Sequence, residues 1–324
     1  MATSYPDRTN ARGIWTLSEI TKNITTGGSW PKQNQGDRAL FAGGNAPSAS
    51  DVIDYVSIAS AGDAADFGDM ITNGGGSVAG SSTRSIISGD DDLTDVISYV
   101  SWATTGNAAD FGNLTDDRYT HCAASNETRA IFSGGVAPAR CNVMDYITIS
   151  TIGNAIDFGD LTGVKIGCSA KGNSTRYIVC AGENDSARVN EIEFVQYSTL
   201  GNAVDFGNLN SISEFPAAAS NSTRLINAGG QATPAKIKII DTIQIDSLGN
   251  ATDFGDITTA TAGLGGASNN TKGIFGGGAT PDVVNVIEFV SLISAGNAAD
   301  FGDLSLGRQR VGAGSNAEGG LVNK

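Results

Sequence analysis

An all-β fold is what this sequence predicts, on three observations. The string Asp-Phe-Gly followed by Asp or Asn recurs six times, with Phe67, Phe111, Phe158, Phe206, Phe254 and Phe301 spaced by 44, 47, 48, 48 and 47 residues. A basic residue opens a short apolar run ahead of each copy: Arg38, Arg84, Arg129, Arg176, Arg224 and Lys272. Helical periodicity is missing from every copy. A four-stranded unit of roughly 47 residues in tandem is the pattern of a β-propeller blade. The expected architecture is a six-bladed β-propeller around a central channel, preceded by an extended N-terminal arm.

The arm comes first, over residues 1–35. It holds two of the three tryptophans, Trp15 and Trp30, and four Arg or Lys against two Asp or Glu. A basic segment with no core of its own and aromatic anchors is suited to an interface. Arg12, Trp15, Trp30 and Pro31 are its candidate partner-binding residues; the alternative is that the arm folds back onto its own propeller.

The propeller is expected over residues 36–324, and residues 118–161 illustrate one unit. His121 to Ser125 is a run of small residues, and Asn126-Glu127-Thr128 has turn composition. Arg129 to Ser133 is a short β-type run closed by Gly134-Gly135, and Asn142 to Ser150 is rich in β-branched and aromatic residues. Gly153-Asn154 reads as a turn. Ala155 to Leu161 completes the fourth strand, with Gly159 expected at a bulge. In the third strand Ile53, Tyr55, Val56 and Ile58 occupy both parities, as do Ile287, Phe289, Val290 and Leu292. That pattern predicts a strand covered on both faces by neighbouring blades.

Ring closure is also written in the sequence. Copy one starts at its second strand, Arg38-Ala-Leu-Phe, whereas Arg308 to Asn316 follows the sixth repeat and matches Arg118 to Asn126. The C-terminal strand is therefore expected to pair with residues 38–43, a velcro closure that removes the open edge. Residues 319–324 have no assigned place.

Composition narrows the function. Lys and Arg total 20 against 34 Asp and Glu, a net charge of −14. That balance repels phosphate backbones, so no nucleic-acid partner is expected. No window reaches the ~18 apolar residues of a membrane helix, and residues 1–13 lack the apolar run of a signal peptide. The single histidine, His121, removes His-triad hydrolysis and His-rich metal sites. Asp-Phe-Gly occurs once in a kinase, beside a Lys strand and a catalytic loop; six copies at blade spacing point to packing. No catalytic residue, cofactor or metal is expected.

The recurring Arg and the motif aspartates Asp66, Asp110, Asp157, Asp205, Asp253 and Asp300 suggest a repeated ion pair or Asp-to-backbone hydrogen bonds. Either would tie strand two to strand four or to the next blade. Asp90-Asp91-Asp92, with Asp95 nearby, lacks the Gly and Glu of a calcium loop and reads as a solvated acidic turn. Cys122, Cys141, Cys168 and Cys180 have no regular spacing and are expected as buried free thiols in a reducing compartment. His121 and Cys122 are expected as a packed pair near the channel.

The order R-x-x-x-small-small, apolar-run-Gly-Gly, then a tyrosine-bearing strand, resembles kelch-type and galactose-oxidase-like propellers over about residues 38–316, with the motif Phe in place of the kelch Trp. More closely, T-R-x-I-F-x-G-G … Y-I-x-I … G-N-A-x-D-F-G-D-L resembles repeats of virion structural proteins of marine tailed phages, cyanophages especially. The segment ARGIWTLSEITKNITTGGSWP (11–31) resembles the N-terminal part of phage tail and fibre-type proteins.

The resemblance implies a non-enzymatic virion component, tail- or fibre-associated, in several copies per particle and assembled in the bacterial host cytoplasm. Its implied partners are other virion proteins and a host-surface glycan. The arm would attach, and the differing loops between strands two and three (45–50, 90–93, 136–140, 183–188, 231–236 and 279–282) would be displayed. Capsid decoration and a carbohydrate-binding or scaffold propeller are the alternatives.

Overall fold

The computed structural model describes residues 37–89 and 93–321. The arm residues Arg12, Trp15, Trp30 and Pro31, and the acidic run Asp90-Asp91-Asp92, lie outside the described residues. The described chain forms six four-stranded antiparallel sheets, the blades of a six-bladed β-propeller. Blade 3 is typical, with strands Cys122–Ser125, Arg129–Ser133, Val143–Thr148 and Ile156–Asp160 from the axis outwards.

Blade 1 takes its inner strand from the other end of the chain. Gly312–Ser315 pairs antiparallel with Arg38–Ala42, setting Phe41 opposite Ala313 and Ala39 opposite Ser315. The expected velcro closure is what the structure holds.

The apolar core lies between the blades and not inside them. Six clusters of buried side chains occupy the six seams, each containing one phenylalanine of the repeated motif. Phe67, for example, packs with Leu40 and Ile53 of blade 1 and with Val78, Ile87 and Trp102 of blade 2. In most blades the motif ring stands edge-on to the third-strand aromatic, as for Tyr146 and Phe158, 5.7 Å apart at 85°.

The glycine of the motif is required by the next blade. Each outer strand bulges opposite it, as between Met144 and Asp145 facing Gly159. Against it lies the turn of the following blade, Gly-Asn at five seams and Gly62-Asp63 at the sixth. A Cβ on Gly112 would stand 2.5 Å from the Gly153 carbonyl oxygen, and one on Gly302 would stand 2.4 Å from that of Gly62. The turn then bonds back: Gly153 N–H donates to Phe111 O, and Asn154 Oδ1 accepts from Asn113 N–H. The same pair of bonds joins blade 6 to blade 1 through Gly62 and Asp63.

Around the axis the inner strands are stitched by hydroxyls. Ser220 donates to Gly172 O, Ser268 to Ser220 O and Ser315 to Ser268 O. The chain end closes the same end of the channel. A single turn of 3-10 helix, Glu318–Gly320, carries Glu318 into a buried pair with Lys171 at 2.8 Å. Of residues 319–324, which the sequence did not place, 319–321 follow Glu318 here, and 322–324 lie outside the described residues.

One expectation needs correction. The third strand is not simply apolar on both parities. Asp54, Asp145, Glu193, Asp241 and Glu288 are buried within it, and Tyr55 and its counterparts are only half-buried. In blades 1, 3 and 4 the connection entering the blade supplies a cation: Arg308 to Asp54, Arg118 to Asp145 and Lys165 to Glu193; in blades 5 and 6 it supplies Asn210 to Asp241 and Thr258 to Glu288. Burial opposes the charge on Lys165, but Glu193 and Glu191 outweigh it and hold its pKa above the ordinary value.

Candidate functional site

The recurring cations all act at blade seams. Arg38 donates to Trp102 O at 2.7 Å, Arg84 to Ile149 O at 3.0 Å, Arg176 to Ile245 O at 2.6 Å and Arg224 to Leu292 O at 2.8 Å. Arg129 does the same to Tyr197 O, and Lys272 reaches Ile58 O and Ala59 O of blade 1. Each guanidinium also lies over an aromatic ring, as Arg129 does 4.8 Å from the Tyr146 centroid. In blade 5 the third strand has Thr242 at that position, and Arg224 moves over Phe254.

The tie to the next blade therefore holds, but the ion pair with the motif aspartate does not. Asp66, Asp110, Asp157, Asp205, Asp253 and Asp300 are exposed, and none is salt-bridged to these cations among the described residues. Strand alternation explains it: with Phe turned into the seam, the preceding Asp must face outwards. Exposed carboxylates on an outer strand oppose edge-to-edge pairing.

The loops between strands two and three share one face with the connections between blades. Tyr119 bridges Val136, Ile166 bridges Glu183, Glu214 bridges Gln231 and Ala262 bridges Ala279. These loops are also tied to one another. Arg140 of blade 3 donates to Asn184 O and pairs with Glu183 of blade 4. Arg188 of blade 4 donates to Thr233 Oγ1 of blade 5 at 2.7 Å, and Lys236 of blade 5 to Thr280 O of blade 6 at 2.8 Å. The sequence reading missed these three cations, although 48 residues separate each from the next.

At the centre of this face the connections form a ring. In five of the six connections the residue two before the inner strand is left-handed, with φ of 55° at Thr120, 57° at Gly167, 52° at Phe215, 75° at Gly263 and 57° at Arg310. Backbone bonds run round it: Gly167 N–H donates to Thr120 O, Phe215 to Gly167 O, Gly263 to Phe215 O and Arg310 to Gly263 O, at 2.6–3.1 Å. The Arg310 guanidinium lies 4.8 Å from the Phe215 ring centroid. Below this ring is a cavity of about 110 Å³ on the axis, reached by Lys171.

His121 and Cys122 are buried beside the cavity, as expected. Burial, reinforced by Arg118, pushes the imidazole down to about 3, so it is neutral. The cysteines are free, and Cys122, Cys168 and Cys180 are buried; Cys141 departs from expectation and is only half-buried. Asp95 accepts a hydrogen bond from Asn113 Nδ2 at 2.6 Å.

Fold and site together define a six-bladed β-propeller with a rigid loop face and an axial mouth. No protein-family model matches the chain, and no curated protein matches it in sequence.

Proposed function

We propose that this chain is a non-enzymatic structural protein of a tailed-phage virion, with the propeller displayed from the tail or its fibres and residues 1–35 as the attaching arm. The observation that carries this reading is the contrast between seams and loops. Every seam repeats the same glycine turn, the same side-chain cap by Asn or Asp and the same cation contact, whereas the loops gathered on one face differ from blade to blade. A rigid ring that presents varied loops is a display scaffold. The resemblance of the repeat to phage virion repeats supplies the setting.

Mass spectrometry and immunogold labelling of purified particles test it. The expected result is stoichiometric protein at the tail, lost when Trp15 and Trp30 are both replaced by alanine. Protein absent from particles, with binding on a glycan array, would replace this reading with a lectin; label on the head would replace it with capsid decoration.

A further inference from the structure

The axial mouth departs from the economy of the rest of the ring. Five of its six connections are left-handed at the same backbone position, and glycine supplies that conformation at Gly167 and Gly263. Three connections instead place Thr120, Phe215 and Arg310 there, three of the four non-glycine residues with positive φ among the described residues. A side chain in that conformation costs roughly 1–2 kcal/mol. Strain kept where a relieving residue is used next door points to function.

The side chains so placed share one chemistry. Arg310 is exposed and held over the Phe215 ring, with no ion pair or hydrogen bond to its guanidinium among the described residues. Thr120 Oγ1 is buried without a partner. Lys171 is buried at the cavity, and its ammonium gives one N–H to Ala313 O at 3.1 Å and one to Glu318 at 2.8 Å. An ammonium has three N–H donors, so one remains. Among the described residues no Asp or Glu lines the cavity, in a chain whose net charge is −14.

We propose that the axial mouth is a binding site for a small anion, a carboxylate or an inorganic oxyanion. The planar guanidinium of Arg310 presents a fork that matches such oxygens, and Thr120 adds a hydroxyl. Glu318 neutralises Lys171, so Arg310 supplies the attracting charge and Lys171 a donor at the base. The cavity of about 110 Å³ exceeds the roughly 10–15 Å³ that one water requires, yet it is far too small for a sugar chain.

Calorimetric titration of the full chain with sodium acetate and with inorganic phosphate, at constant ionic strength, tests the assignment. The expected result is saturable binding of at least one of them, weakened at least tenfold in Arg310→Gln with the far-ultraviolet dichroism unchanged. Thr120→Val, which keeps the branched shape and loses the hydroxyl, should weaken binding about threefold and serves should the first variant misfold. In crystals soaked in sodium bromide, anomalous density should lie in the mouth beside Arg310. No saturable binding by either anion, affinity unchanged in both variants, or bromide only elsewhere on the surface would each overturn the site.

Discussion

Arg308 and Asp54 meet at 2.8 Å with both side chains wholly buried, and they belong to opposite ends of the propeller sequence. The guanidinium also donates to Val52 O at 2.7 Å and Phe41 O at 3.1 Å, while Ser305 bonds the carboxylate through its N–H and hydroxyl. The pair fastens the connection that leads into the closing strand. Burying two charges is costly, and the loss is greatest when one is left without the other. Asp54→Asn and Arg308→Met should each destabilise by about 3–5 kcal/mol in urea unfolding, and Asp54→Leu with Arg308→Met should recover most of it. Additive losses in the double variant would refute the coupling.

Blade 2 carries a natural version of that experiment. Its third strand has Ser98 where the other blades have Asp or Glu, and the connection entering it, ITNGGG (71–76), has no cation. Ile71 also stands there in place of the Ser, Thr or Asn that bonds the acid elsewhere, as Thr115 bonds Asp145. Acid, cation and hydroxyl are lost together. Blades 5 and 6 keep the acid without a cation among the described residues, and there Asn210 and Thr258 hold Asp241 and Glu288 through hydrogen bonds.

The seam latch makes a second prediction through two glycines that sequence alone does not distinguish. Gly112 has φ of 145°, and a Cβ there would meet the Gly153 carbonyl at 2.5 Å; around a Cβ on Gly153 nothing lies within 4 Å. Gly112→Ala should lose more than about 2 kcal/mol and Gly153→Ala under about 1 kcal/mol. Chemical denaturation of the two variants checks the order, and equal losses would show that the close approach is not what selects glycine.

The ring was legible because duplication repeats its own evidence: the DFG period set the blade count, and the match of Arg308–Asn316 to Arg118–Asn126 located the closing strand. The buried carboxylates were not, because Asp54 between Ile53 and Tyr55 reads as an outward residue in an alternating strand. The bulge opposite Gly68 shifts the register between Ile53 and Asp54, and a buried acid with a distant partner carries no local signature. The mouth was hidden for the opposite reason. Left-handed backbone is ordinarily read from glycine, and Thr120, Phe215 and Arg310 give no such sign.

Asp241 yields a prediction about pH. It is buried and, among the described residues, has no cation partner: Asn210 gives it hydrogen bonds through its backbone N–H at 2.9 Å and its amide at 2.6 Å. Burial raises its pKa above the ordinary 3.8, and the Asn210 bonds offset part of the rise. As pH increases, the unfolded chain releases this proton first. Stability attributable to Asp241 is therefore greatest below 3.8, falls as pH climbs through the raised value, and is level above it. Asp241→Asn should gain on the wild type over that window in urea unfolding from pH 3.5 to 7. A difference that is flat, or that runs the other way, would contradict the buried, unpaired carboxylate.

His121 titrates in the opposite sense. Its Nε2 lies 2.9 Å from Ser88 Oγ, and burial together with Arg118 brings its pKa from 6.5 to about 3. The unfolded chain, with its imidazole near 6.5, takes up the proton first as pH falls. The fold therefore loses up to about 1.4 kcal/mol per unit below 6.5, until the pH approaches the depressed folded value. Because the chain has one histidine, its imidazole resonances are assigned without ambiguity. They should show no inflection between pH 8 and 5 in the folded protein. His121→Gln should remove the acid slope from the unfolding free energy while leaving the Asp241 slope in place. A folded-state inflection near 6.5 would mean that the ring reaches water, and the packing of His121 against Phe132 and Ser88 would then be wrong.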